Sequence, residues 1–134
     1  MKRKQGQVYY SLDFHIIFST KKRQIVIDNE KIMKIGNLIK KKCTELNIIY
    51  HIANGYFDHF HLLISVPSSM KISDMIKYLK GYSSFKMSDL FWKNGNYAFS
   101  VDESSFNRVF NYIKKQKEKH KDLDFMCEMK LLCR

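Results

Sequence analysis

The chain has 134 residues, of which 45% are hydrophobic and 14% aromatic, so its composition excludes a disordered protein and permits one buried core. With one proline and no linker-like stretch, residues 1–134 are predicted to form a single domain. The net charge of +11 favours a polyanionic partner such as nucleic acid. No stretch has the length of a membrane span, and the three cysteines lack paired spacing, so we expect reduced thiols and a cytoplasmic protein without a membrane partner.

The first predicted strand covers residues 8–19, where apolar and polar residues alternate. Phe14, Ile16 and Phe18 fall on one face, and His15 falls on the other. The strand leads into a basic loop with Lys21, Lys22 and Arg23. This loop is either a solvated turn or a phosphate contact, and the sequence supports the two interpretations equally.

A helix is predicted to begin after Asp28 or Asn29, because apolar residues then recur every three or four positions as far as Leu46. Residues 48–53 are a second predicted strand. The short link at residues 55–58 favours antiparallel pairing with the strand that follows.

That following strand carries two histidines, His59 and His61, at the start of an apolar run that ends before Pro67. In a strand they share one face, and Phe60 and Leu62 face the opposite side. Two neighbouring imidazoles can hold one cation, although exposed histidines at the end of a strand show the same pattern.

A second long helix is predicted from a cap at Ser73 to about Phe91, interrupted by Gly81. Gly81 indicates either a tolerated kink or a close approach of another backbone or of nucleic acid. The last strand is predicted at residues 97–101.

The next helix is predicted to begin at Ser104 or Ser105 and to carry Tyr112 and Gln116 at positions i and i+4, on one face. A short amphipathic helix is predicted over residues 122–133. The resulting order β-α-β-β-α-β-α-α indicates an α+β fold with a ferredoxin-like antiparallel sheet, in which the first and third strands lie together at the centre. His15 would then lie on the face of His59 and His61.

These residues could act together on a phosphodiester. Imidazole and amide oxygen suit Mn²⁺, and Mg²⁺ also fits if water and phosphate oxygens complete its coordination. The phenol of Tyr112 could attack phosphorus and form a covalent phosphotyrosine, which conserves the bond energy for rejoining. The sheet arrangement offers His15 as a third ligand.

Five segments in this order resemble the single-tyrosine transposases of the insertion-sequence 200/605 family, which belong to the histidine-hydrophobe-histidine (HUH) nucleases. The segments cover most of the chain: FHIIFSTKKR at 14–23, DHFHLLI at 58–64, LKGYSS at 79–84, YAFSV at 97–101 and YIKKQ at 112–116.

The resemblance implies a fold of the HUH endonuclease type, with His59, His61 and Gln116 as ligands of Mg²⁺ or Mn²⁺. It implies that Tyr112 is the nucleophile, which becomes joined to the 5′-phosphate of cleaved single-stranded DNA. The expected partners are DNA with hairpin ends and a second copy of the chain, and the resemblance allows active sites that are shared between subunits. Between His15 and Gln116 we favour Gln116 as the third ligand, because it would couple the cation to the placement of the tyrosine. By position, the proposed DNA contacts are Lys21, Lys22, Arg23, Lys80 and Ser84.

Two other functions fit part of this pattern. A hairpin-binding module without catalysis would need only the basic and aromatic surface. A metal-dependent hydrolytic nuclease would cut DNA and leave no covalent adduct with the protein.

Overall fold

The computed structural model describes residues 2–21, 27–56 and 58–116. These residues form six strands and three helices, in the order βββαββαβα. The strands are β1 (Arg3–Gln5), β2 (Val8–Tyr10), β3 (Asp13–Ser19), β4 (Ile49–Tyr56), β5 (His59–Ser65) and β6 (Tyr97–Val101). The helices are α1 (Asn29–Glu45), α2 (Ile72–Lys86) and α3 (Glu103–Lys114). None of the described helices is both long and apolar enough to cross a lipid bilayer.

The main sheet has four strands in the order β4-β5-β3-β6, and all of its pairs are antiparallel. The first predicted strand therefore lies beside the histidine strand at the centre, as the sequence predicted. The α+β class and the ferredoxin-like order are confirmed.

The two faces of the sheet carry cores of different size. On one face, α1 and α2 cover a large apolar core that includes Phe18, Phe60 and Leu62. On the other face, α3 packs on a smaller cluster formed by Leu63, Val101, Val109 and Ile113. The predicted alternation along β3 and β5 is thus confirmed. It places His59 and His61 on the side of the sheet that α3 covers.

The prediction of one strand over residues 8–19 is wrong. Val8–Tyr10 instead pairs with Arg3–Gln5 in a separate hairpin, and β3 starts only at Asp13. Gly6 has a φ of +60° in the connecting turn, a conformation that glycine adopts without steric cost. The sequence did not reveal β1 because its three residues are all polar and therefore give no apolar alternation.

Two predicted helix starts are also wrong. Lys71 is the N-cap of α2 and makes no side-chain capping bond, so Ser73 lies inside the helix. Asp102 caps α3, since its carboxylate accepts a hydrogen bond from the backbone of Ser105 at 2.8 Å. By contrast, the expected cap at Asp28 is confirmed, because its side chain accepts from the backbone of Lys31.

Helix α2 ends at Lys86 and not near Phe91 as predicted. Trp92 is the reason: its ring packs against Phe18, and its indole N–H donates to the buried hydroxyl of Ser83 at 2.9 Å. The chain must therefore turn back across the end of the sheet after α2, and a continuous helix would carry Trp92 away from this position. The predicted helix over residues 122–133 lies outside the described residues.

Candidate active site

The two histidines lie on β5 beside the tight connection from β4. Gly55 is required there, since a Cβ atom at this position would stand 2.8 Å from the carbonyl oxygen of His59. His59 and His61 are buried, with 7% and 0% of their surface exposed. Because they are two residues apart in a strand, their Cβ atoms are about 7 Å apart on the same face. This places two imidazoles side by side in a site largely shielded from water.

A carboxylate orients the first histidine. Nδ1 of His59 lies 2.6 Å from Oδ1 of Asp58. A histidine that donates its Nδ1 proton to a carboxylate carries its coordinating lone pair on Nε2, and this arrangement is common around metal ions in proteins. Asp58 therefore selects the ring nitrogen of His59 that can bind a cation.

A third histidine orients the second one. Nε2 of His15 lies 2.9 Å from Nδ1 of His61, and the two rings are stacked with centroids 5.1 Å apart. Burial lowers the pKa of His15 to about 4, so the His15 ring is neutral at pH 7. The prediction that His15 lies on the face of the other two histidines is confirmed.

The tyrosine of α3 completes this group of aromatic side chains. The ring of Tyr112 meets the rings of both His61 and His15 edge-on, with centroid distances of 5.8 and 6.3 Å. The helix is placed by its apolar stripe, in which Val109 and Ile113 are buried against Leu63 of β5. One face of the sheet thus holds Tyr112, the predicted nucleophile, in contact with His61, one of the predicted metal ligands, within a single chain.

Gln116 does not share a continuous helix with Tyr112, contrary to the prediction. Helix α3 ends at Lys114, and Lys115 is its C-cap. The side-chain amide of Asn54 donates to the carbonyl oxygens of Ile113 and Lys114, at 3.0 and 3.2 Å. These are carbonyls that a helix leaves without partners at its C-terminus, so Asn54 satisfies the helix end from outside.

The side chain of Gln116 is nevertheless fully buried. Within the described residues, neither its amide oxygen nor its amide nitrogen has a hydrogen-bond partner. Leaving a buried amide unsatisfied costs about 1–3 kcal/mol. The amide oxygen is therefore free to bind a group that the described residues do not supply. A divalent cation is such a group, because amide oxygen and imidazole nitrogen can coordinate the same ion.

His15, His59 and His61 do not form a metal site of three histidines. Across the described parts of the chain, no group of three or more histidine, cysteine, aspartate or glutamate side chains is arranged to hold a metal ion. His15 instead contacts His61 at hydrogen-bonding distance. Gln116 as the third ligand stays a prediction, and its buried amide without a partner among the described residues is consistent with it.

The predicted DNA contacts occupy different environments. Lys21 is exposed just after β3, and its backbone N–H donates to Phe91 at 2.6 Å. Lys80 donates from its ammonium group to the carbonyl of Lys93 and to the side chain of Asn96, at 2.7 and 2.8 Å, and burial lowers its pKa. Ser84 bonds only within its own helix among the contacts observed, at 3.3 Å to Gly81. Lys22 and Arg23 lie outside the described residues.

Sequence reasoning missed two side chains that shape this site. Asp58 directly precedes His59, so its position next to the histidine pair was a signal that could have been used. Asn54 offered no such signal. Its contact with the end of α3 spans 59 residues and depends on how the helix docks on the sheet.

Comparison with known proteins identifies a family. Residues 8–116 match the family model described as "Transposase IS200 like". The chain is 31% identical over 124 residues to the transposase for insertion sequence element IS200 of Salmonella typhimurium, covering 84% of this chain and 81% of that protein. It is also 25% identical over 131 residues to the ISDra2 transposase TnpA of Deinococcus radiodurans, covering 89% and 93%.

Solved structures show the same fold. A crystal structure of a protein described as a transposase, from Deinococcus radiodurans R1, has a TM-score of 0.69 at 25% identity and covers 87% of this chain and 98% of its own. A REP-associated tyrosine transposase bound to a REP hairpin has a TM-score of 0.65 at 13% identity, covering 88% and 74%. The second similarity supports the fold alone. By its match over residues 8–116 and its identity to the Salmonella protein, the chain belongs to the IS200-like family of transposases.

Proposed function

We propose that this transposase cuts and rejoins single-stranded DNA at hairpin-bearing element ends, using Tyr112 as the nucleophile. The observation that carries the proposal is the edge-on contact between the rings of Tyr112 and His61, whose centroids are 5.8 Å apart. The phenol can act as the nucleophile that attacks phosphorus, and the imidazole can act as a ligand of the cation. The two groups are in contact at one site.

In the proposed reaction, the phenolic oxygen of Tyr112 bonds to phosphorus, and the bond from phosphorus to the 3′-oxygen breaks. In the net reaction the phenolic proton passes to the departing oxygen, which leaves a free 3′-hydroxyl and a 5′-phosphotyrosine. Attack by a 3′-hydroxyl reverses these steps and joins DNA. No nucleoside triphosphate is needed, because one phosphodiester replaces another.

Nε2 of His59, Nε2 of His61 and the amide oxygen of Gln116 would hold a divalent cation, Mg²⁺ or Mn²⁺. Such an ion polarises a phosphoryl oxygen and offsets the charge that develops in the transition state. Asp58 and His15 would keep both histidines in the tautomer that presents Nε2. The buried amide of Gln116 supports the same ligand set.

The DNA partner is supported by the net charge of +11 and by membership of the IS200-like transposase family, because transposition acts on DNA. We propose Lys21, Lys22, Arg23 and Ser84 as contacts to the DNA backbone. Because the ammonium of Lys80 is bonded to the segment at residues 93–96, we propose that Lys80 acts by shaping that segment.

The family resemblance also leads us to propose a homodimer that works in the cytoplasm. One chain can bring its own Tyr112 to its own histidines, as the distance to His61 illustrates. An exchange of α3 between subunits would bring the same residues together across the dimer.

The deciding experiment is incubation of the protein with Mn²⁺ and labelled single-stranded oligonucleotides that carry candidate element ends, followed by denaturing electrophoresis. The proposal expects a covalent adduct between protein and DNA that is absent without a divalent cation. Free cleaved DNA without an adduct would indicate a hydrolytic nuclease. Binding without cleavage would indicate a hairpin-binding module.

A further inference from the structure

Asn54 connects two elements of the proposed active site, the histidine strand β5 and the end of helix α3. In the pairing of β4 with β5, Asn54 lies directly opposite His61. Side chains of directly opposed residues project on the same side of a sheet, so the Asn54 amide projects on the side of the histidines, where α3 packs. There it donates to Ile113 and Lys114 at the end of that helix.

The orientation of the Asn54 amide is fixed by its surroundings. Its oxygen accepts a hydrogen bond from the backbone N–H of Gly55 at 2.9 Å. The amide nitrogen, which has two hydrogens to donate, therefore faces the two carbonyl oxygens at the helix end. No side chain without an amide can reproduce both the acceptor and the paired donors at this position.

The carbonyls bound by Asn54 lie between Tyr112 and Gln116 in the sequence. Helix α3 ends at Lys114, and Gln116 is the second residue after that end. The apolar cluster under α3 has only four buried members among the described residues, far fewer than the core under α1 and α2. We therefore expect the position of the end of α3 to depend more on polar contacts than the positions of the ends of α1 and α2 do.

We propose that Asn54 is a positioning residue that sets the end of α3 relative to β5, and thereby the place of both Tyr112 and Gln116 beside His61. This inference rests on the proposed function for its catalytic consequence, whereas the attachment of the helix end can be tested without it. A displacement of about 1 Å between reacting groups can slow a reaction about a hundredfold. We call the two hydrogen bonds from Asn54 to the end of α3 the Asn54 clamp, and its loss should lower the reaction rate before it disrupts the fold.

The test variant is Asn54→Asp, which keeps the size and the acceptor but removes both donors. It also places a carboxylate at the negative end of the helix dipole, where anions are unfavourable. The control is Asn107→Asp, which makes the same charge change at an exposed position of α3 away from the clamp.

The first readout is amide hydrogen exchange of the protein without DNA or metal. In Asn54→Asp we expect the last turn of α3 to exchange about ten times faster, while β5 and α1 keep their protection. Unchanged exchange in α3 would overturn the proposal. Equal acceleration throughout the protein would also overturn it, because it would indicate general destabilisation.

The second readout separates chemistry from binding. We expect the rate of adduct formation at saturating DNA to fall about tenfold or more in Asn54→Asp, with the half-saturating DNA concentration unchanged. A change in half-saturation alone would overturn the catalytic part of the inference. If the unmodified protein forms no adduct while α3 exchange is accelerated in the variant, the proposed function fails and the clamp stands.

Discussion

Nε2 of His15 lies 2.9 Å from Nδ1 of His61, and this contact joins two central strands on the face that carries Tyr112. Two ring nitrogens at this distance share one proton. Because burial lowers the pKa of His15 to about 4, its ring carries no positive charge at pH 7. In the proposed metal site, His61 would present Nε2 to the cation and donate its Nδ1 proton to His15, which would orient His61 without binding the ion.

Replacement of His15 by phenylalanine keeps the ring and removes the hydrogen bond. We expect His15→Phe to weaken Mn²⁺ binding about tenfold, the effect typical of a group that orients a ligand. Calorimetric titration of Mn²⁺ measures this, with His51→Phe as a control that leaves affinity unchanged. A loss as large as that of His61→Ala would mean that His15 binds the metal.

Replacement of Tyr112 by phenylalanine removes only the attacking oxygen. We expect Tyr112→Phe to abolish both cleavage and the covalent adduct, while affinity for the hairpin stays within about twofold. Denaturing gels measure the adduct, and a filter-binding titration measures affinity. The control Tyr97→Phe, on the exposed edge strand, should cleave normally. Adduct that persists in Tyr112→Phe would show that another tyrosine is the nucleophile.

Replacement of Gln116 by alanine removes a buried amide that has no hydrogen-bond partner among the described residues. The variant should therefore keep the stability of the parent without metal, but should lose Mn²⁺ affinity about tenfold and cleave more slowly. Thermal melting and calorimetric titration measure the two effects. Lys115→Ala, at the exposed neighbouring position, is the control. Normal Mn²⁺ affinity in Gln116→Ala would remove Gln116 from the ligand set.

The substrate should be single-stranded. We expect cleavage of a strand that bears a hairpin and no cleavage of the same sequence in a full duplex, because the scissile strand must reach a buried site. Affinity should fall steeply as salt rises from about 50 to 200 mM, since lysines and arginines release counterions from DNA. Gel assays over a salt series test both points, and equal cutting of duplex DNA would contradict the first.

Two neighbouring serines of α2 give a matched test of the fold. Ser83 is buried and accepts from the indole of Trp92, whereas Ser84 bonds only to a carbonyl of its own helix among the contacts observed. We expect Ser83→Ala to lower the free energy of unfolding by about 1–3 kcal/mol, because the indole N–H becomes unsatisfied in the core. Ser84→Ala should change it by less than about 0.5 kcal/mol. Urea denaturation of both variants measures the difference.

The sequence alone determined the central strands and the side on which their histidines lie. Alternation along residues 13–19 and 59–65 fixes the two faces, because a strand has a side-chain period of two. The same local information located β6, the main helices and the position of Tyr112 on α3. It also carried the family resemblance, since the relevant residues lie within short contiguous segments.

Only the tertiary structure decided where the helices end and how the site is supported. Trp92 ends α2 through a contact with Ser83, and Asn54 caps α3 from a strand that is 59 residues away in the chain. The bond between His15 and His61 likewise depends on the register of β3 against β5. Periodicity and propensity describe neighbours along one segment. Hydrogen bonds between distant segments exist only after the sheet and helices have packed, so local patterns do not reveal them.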